Sequence, residues 1–154
     1  MKAYIFRHAM ADFKGHAEDP AVTEEGLAEA GRVVRLAKEN LAFKPSVIVS
    51  SPLLRARQTA EMTQKVTGVK AVTVDESLYG DRSPSEALAL LSKLKTTDEV
   101  VIVSHMPLLS ELLLGMIGGK AGIELPNGSI ACVEFKGKAA KGKGKLAWLV
   151  PPLA

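Results

Sequence analysis

Short apolar runs alternate along this chain with segments of helical period, and that alternation restricts the fold more than any other feature. "KAYIFR", "SVIVSS" and "EVVIVS" read as buried strands, with "KAVTV" a shorter candidate. Between them, "TEEGLAEAGRVVRLAKENL" puts Leu27, Ala30, Val33, Val34 and Ala37 on one helical face behind Thr23 as N-cap. "PLLRARQTAEMTQKV" reads as a helix starting at Pro52, and "SPSEALALLSKL" as one with Ser83 or Ser85 near its cap. "PLLSELLLGMI" is a helix closed by Gly118 and Gly119. The last two strand signals, "GSIACVEF" and "KLAWLV", flank "KGKAAKGKGK" as a hairpin. The pattern predicts an α/β fold, a three-layer α/β/α sandwich with a mostly parallel sheet and an antiparallel edge. With 154 residues, no internal repeat and no long linker, residues 1–154 read as a single domain.

Several function classes drop out on composition. The net charge of +3 is too small to argue for nucleic acid, and aromatic residues for base stacking are scarce at 5%. One cysteine, Cys132, rules out an internal disulfide or a multi-cysteine metal site, and its apolar surroundings point to inert packing. The start mimics a signal peptide, but Arg7 and His8 interrupt the apolar run too early. The longest apolar stretch falls short of the ~20 residues that span a bilayer. The expectation is a cytoplasmic protein with no membrane or nucleic-acid partner. The Lys136–Lys145 stretch, all glycine, lysine and alanine, reads as a solvated, mobile hairpin tip.

In a parallel sheet, ligands gather beyond the carboxyl ends of the strands. The first strand delivers Arg7 and His8 there, the second delivers "SSPLLRARQT", and the fourth delivers His105 in "SHMP". Ser51 reads as an N-cap with Pro52 at the first helical position. Arg55 then leans back toward the strand ends, while Arg57, about 200° further round the helix, faces elsewhere. The helix start would add free backbone N–H groups and the positive end of its dipole. Each feature favours an anion.

"FRHA", "SSPLLRARQTAE" and "VSHMP", together with "VTEEG", resemble the histidine phosphatase superfamily, the phosphoglycerate-mutase-like fold. Order, spacing and length look most like its SixA branch of small phosphohistidine phosphatases. The resemblance implies that His8 is the nucleophile and becomes a phosphohistidine. Arg7 and Arg55 would hold the phosphoryl oxygens, and His105 would complete the pocket, where inorganic phosphate or sulfate would also sit. An attacking imidazole must be neutral; its ordinary pKa is ~6.5, and two guanidinium groups favour the neutral ring. A backbone carbonyl at Nδ1 would leave Nε2 free. Phosphoryl transfer asks mainly for positioned cations, so no metal or other cofactor is needed.

The chain departs from the family pattern at three places, and the proton donor is a further open role. Ala9 stands where glycine is usual beside the substrate, which predicts an ordinary negative φ there. No arginine precedes Thr23 in "EDPAVTEEG"; the nearest cations are Lys14 and His16, and His16 reads as an exposed loop residue. Glu76 in "VDESLYG" is the candidate proton donor, though Asp75 and Glu76 read equally as loop carboxylates. Met106 follows His105, where some branches carry an acid. A weak acid site favours a P–N bond, because a departing imidazole is easily protonated. Between Arg55 and His105 there is room for about one strand and one helix, so no large cap covers the pocket. The leading expectation is a phosphohistidine phosphatase acting on a phosphohistidine-containing protein domain. The alternatives are a phosphatase of small phosphate monoesters and a non-catalytic phospho-ligand-binding module.

Overall fold

The computed structural model describes residues 1–152. Six strands form one sheet: β1 (Lys2–Arg7), β2 (Val47–Ser50), β3 (Ala71–Val74), β4 (Glu99–Ser104), β5 (Ile130–Glu134) and β6 (Lys145–Val150). Their order is β3-β2-β4-β1-β5-β6. β3, β2, β4 and β1 run parallel, while β5 pairs antiparallel with β1 and with β6. This is the expected α/β arrangement with an antiparallel hairpin at one edge. Helices α1 (Glu24–Asn40), α2 (Leu54–Thr67), α3 (Pro84–Ser92) and α4 (Leu108–Ile117) complete the layers.

The sheet separates two apolar cores, which explains why the central strands are apolar without alternation. Ala3, Ile5, Val100 and Ile102 face α3 and α4, where Leu91, Leu109 and Leu112 are buried. Tyr4, Phe6, Val101 and Val103 face α1 and α2, together with Val33, Val34 and Ala60. Cys132 lies in this second core at 1% exposure, its thiol pushed up to about 12 by burial, as an inert packed cysteine should be. Among the described residues, no helix is long and apolar enough to cross a membrane.

Local signals act as read at most element ends. Thr23 Oγ1 accepts from Gly26 N at 2.9 Å, Ser83 rather than Ser85 caps α3, and Gly118 ends α4 at φ +69°. The start of α2 differs. Leu53 remains extended and the helix begins at Leu54, so neither Ser51 nor Pro52 takes the expected place. Ser51 is drawn toward His105 instead, and the first helical N–H, that of Leu54, is capped by Asp19 Oδ1 at 3.0 Å from a distant loop. The dipole end is therefore partly occupied by a carboxylate. The lysine hairpin also departs from expectation. Ala139 is buried, and Gly142 N and Gly144 N donate to Gly115 O and Met116 O, each at 2.8 Å. The loop is laid against α4, leaving the lysines exposed on a docked backbone.

Candidate active site

Parallel register brings the site together. Arg7 pairs with Ser104, and Ser50 pairs with Val103, so residues 7–8, 50–51 and 104–105 leave the sheet side by side. His8 N donates to Ser104 O at 3.1 Å and Ser51 N to Val103 O at 2.9 Å, extending the ladder past the strand ends. The His8 and His105 rings stand 5.0 Å apart between centroids. Both are nearly enclosed, at 3% and 5% exposure.

Hydrogen bonding fixes the His8 ring. Nδ1 donates to Ala9 O at 2.6 Å, and Arg55 Nε donates to Nε2 at 3.3 Å. The two contacts are compatible with one species, the neutral ring protonated on Nδ1 with its lone pair on Nε2. Burial first, then Arg55 and Arg7, lower the His8 pKa to about 4; the Ala9 carbonyl opposes them. Burial and the same cations, with His8 beside it, lower His105 to about 3.

His105 is oriented by Ser51. Its Nε2 lies 2.6 Å from Ser51 Oγ, and that oxygen already accepts Leu53 N–H at 3.3 Å. When the Ser51 hydroxyl donates to Nε2, the ring proton stays on Nδ1. That Nδ1 is buried and has no partner, and neither has Arg7 Nε; with Ser77 Oγ they are the buried side-chain polar atoms left unsatisfied among the described residues. Buried donors without acceptors are uncommon in a folded chain, and Arg7 Nε and His105 Nδ1 are two that can donate to an anion.

The remaining expectations sort readily. Arg7 leaves β1 and donates from one Nη to Leu125 O at 2.6 Å. Arg55 lies over the Phe13 ring at 5.2 Å and feels Asp19, while Arg57 turns away to Pro52 O. Ala9 is buried and is not among the positive-φ non-glycine residues, His16 and Ala42, so its backbone is ordinary. His16 is exposed. Glu76 opens a 3-10 turn (Glu76–Leu78) two residues past β3 and is exposed, with no side-chain hydrogen bond or ion pair to a described residue. Among the described residues no cluster of three or more His, Cys, Asp or Glu is placed to hold a metal.

Sequence reading passed over three positioning residues and read a fourth, Ser51, only as a helix cap. Thr59 accepts Ala9 N–H at 3.0 Å and donates to Arg55 O at 2.8 Å, tying the turn after His8 to the arginine helix. Asn127 Nδ2 and Gly128 N both reach His8 O, and Gly128 does so at φ +78°, a conformation suited to glycine. Ser51 is the fourth. "PNGS" is a turn signal, but nothing local says that it wraps the backbone of residue 8.

These features define a class, a mostly parallel α/β/α sandwich whose strand ends collect two neutral imidazoles and two guanidinium groups. The chain belongs to the histidine phosphatase superfamily: the branch 1 family model matches residues 3–79. An uncharacterised Picosynechococcus protein is 31% identical over 147 residues, covering 92% of this chain and 88% of that one. The fold is that of the protein histidine phosphatase SixA solved with tungstate, at TM-score 0.88 and 23% identity over 99% of this chain and 97% of that one. The SixA-type putative phosphohistidine phosphatase of Agrobacterium tumefaciens follows at 0.82 and 23%, covering 98% and 97%. A phosphoserine phosphatase of Entamoeba histolytica with 3-phosphoglyceric acid shares the fold at 0.70 and 20%, covering 96% and 95%.

Proposed function

We propose that the chain is a single-domain phosphatase that removes phosphate from protein histidine through a covalent intermediate on His8. One observation carries the reading: a neutral imidazole with Nδ1 tied to a carbonyl and its Nε2 lone pair facing a guanidinium. The Nε2 pair attacks phosphorus while the P–N bond to the substrate imidazole breaks; that ring already carries a proton on its other nitrogen and leaves as neutral imidazole, its freed nitrogen keeping the electron pair. Water then attacks the phosphoryl group, the His8 nitrogen recovers its pair, and inorganic phosphate departs. Arg55 Nε donates to Nε2, so its guanidinium has to pass from the nitrogen to the incoming phosphoryl oxygens for the attack. Arg7 Nε and His105 Nδ1 supply further donors. Charge spread over the equatorial oxygens is what such donors stabilise. Because the departing imidazole can already carry a proton on its other nitrogen, this reaction needs no dedicated carboxylic acid, in keeping with the exposed Glu76.

The test is brief incubation with a labelled histidine-phosphorylated protein, followed by quenching and mapping of the label. Acid-labile, alkali-stable phosphate on His8 is expected. His8→Ala should bring turnover below roughly a thousandth of wild type, and Arg55→Ala should lose roughly a hundredfold with weaker binding. Faster hydrolysis of small phosphate esters than of the phosphoprotein would instead favour the ester reading, a preference the Entamoeba relative bears in its name. Phosphate affinity with neither label nor release would make the chain a binding module.

A further inference from the structure

One charged group from the loop between β1 and α1 reaches the start of the arginine helix. Asp19 sets both carboxylate oxygens on the Leu54 N–H, at 3.0 Å and 3.2 Å. Leu54 opens α2 and directly precedes Arg55, whose Nε donates to His8 Nε2 at 3.3 Å. The same loop lays Phe13 over the Arg55 guanidinium at 5.2 Å. Burial lowers the Arg55 pKa and the Asp19 charge opposes it, yet no ion pair joins the two among the described residues. A helix start needs only an oxygen for its first N–H, and serine, threonine or asparagine would serve as well. The charge of Asp19 is therefore surplus to its capping role.

We propose that Asp19 is a specificity-determining residue: its carboxylate beside Arg55 turns away phosphoryl compounds that carry a second anionic group next to the phosphorus. The site is left to substrates whose leaving group is uncharged or cationic. The proposal rests on the phosphate-binding reading of the pocket and adds the class of compound admitted to it. Asp19 is half-buried and holds the positive end of the α2 dipole, the place where a second anionic group would otherwise gain most. Arg7 has a counterpart in Glu124, which likewise opposes the effect of burial but is exposed and so more screened. Two carboxylates thus offset the two guanidinium groups, and burial keeps both imidazoles neutral. A phosphoryl group is held there by short-range donors, whereas further negative charge finds no net attraction and meets Asp19. A phosphorylated imidazole carries no second anion; a small ester ending in a carboxylate does.

The experiment is calorimetric binding of ethylphosphonate and phosphonoacetate, at low salt and at a pH that ionises both phosphonates fully. The two ligands exchange a methyl group for a carboxylate, and neither has a P–O–C or P–N linkage to cleave. Because nothing is turned over, the result stands whether or not His8 is a nucleophile. Wild type should hold ethylphosphonate about tenfold more tightly than phosphonoacetate, a preference that added salt erodes. Asp19→Asn keeps a capping oxygen and loses the charge, so it should narrow the difference to about twofold by gaining affinity for phosphonoacetate alone. Asp19→Ala, which loses cap and charge together, should show the same narrowed ratio. A wild type without preference, an unchanged ratio in Asp19→Asn, or equal gains for both ligands overturns the proposal and leaves the phosphate pocket standing. A ratio narrowed in Asp19→Ala but not in Asp19→Asn makes the residue a cap alone and also overturns it. No binding of either phosphonate to any of the three proteins overturns the pocket reading itself, and the proposal with it.

Discussion

The most informative hydroxyl in the molecule is that of Ser51. Two imidazoles stand side by side, and their roles differ because their hydrogen-bond partners differ. His8 meets a carbonyl at Nδ1, whereas His105 meets a hydroxyl at Nε2. One ring is left with a bare nitrogen, which the proposed mechanism uses for attack, and the other with an N–H that it offers to a phosphoryl oxygen. Removing the serine removes the distinction without touching either ring. Ser51→Ala should lower kcat by roughly 10–100-fold, the equivalent of one buried hydrogen bond of about 1–3 kcal/mol. Ser51→Thr should restore most of the loss. Nitrogen NMR of the ring reports the cause directly: His105 protonated on Nδ1 in wild type, and a mixture of tautomers in the alanine variant. A variant with the wild-type tautomer and low activity would leave the serine a purely structural role.

At the level of elements, the site hangs on how loops close around strand ends, and this is where the sequence was least legible. Strand and helix identities follow from period and caps, so β1, β4, α1 and α4 lie where their patterns place them. The residues that would do chemistry were legible too, because a parallel sheet puts "RH", "SSPLLR" and "SH" at one edge. Long-range capping was not. Asp19 caps α2 across a sequence separation of 35, and no local pattern encodes a partner that distant. The lysine hairpin looked solvated because its composition is polar, yet its backbone amides found carbonyls left free at the end of α4. Gly80 shows the same economy. A Cβ there would stand 2.9 Å from Met106 O and 3.0 Å from His105 Cβ, so only glycine lets the loop before α3 pass beneath the second histidine. Gly80→Ala should cost about 1–3 kcal/mol in urea unfolding and also depress activity, since the displaced neighbour is His105 itself. Full activity in the alanine variant would show that the loop yields without moving the ring.

Across the whole molecule, charge is segregated by the direction of the chain. Helices of βαβ units run against their strands, so helix starts gather at the site's edge and helix ends at the other. Glu24, Glu25, Glu86 and Glu111 lie in first turns, and Lys38 and Lys65 in last turns, each complementing a helix dipole. The site therefore sits on the acidic end, and its own cations are the half-buried Arg7 and Arg55. Keeping two neutral histidines there couples the chemistry to global stability. Unfolded imidazoles take up protons near pH 6.5, while the folded rings resist until about 4 for His8 and about 3 for His105. As pH falls below about 6.5 the unfolded state binds the extra protons, so stability declines until the folded pKa values are reached and these rings contribute no further change. Between pH 7 and 5 each ring should cost on the order of 2 kcal/mol, and urea midpoints at the two pH values measure the sum. His105→Gln keeps a polar side chain but does not titrate, so its midpoint should fall by about half as much as that of wild type. An equal fall in both proteins would mean that carboxylates elsewhere, not the paired rings, set the acid sensitivity of the fold.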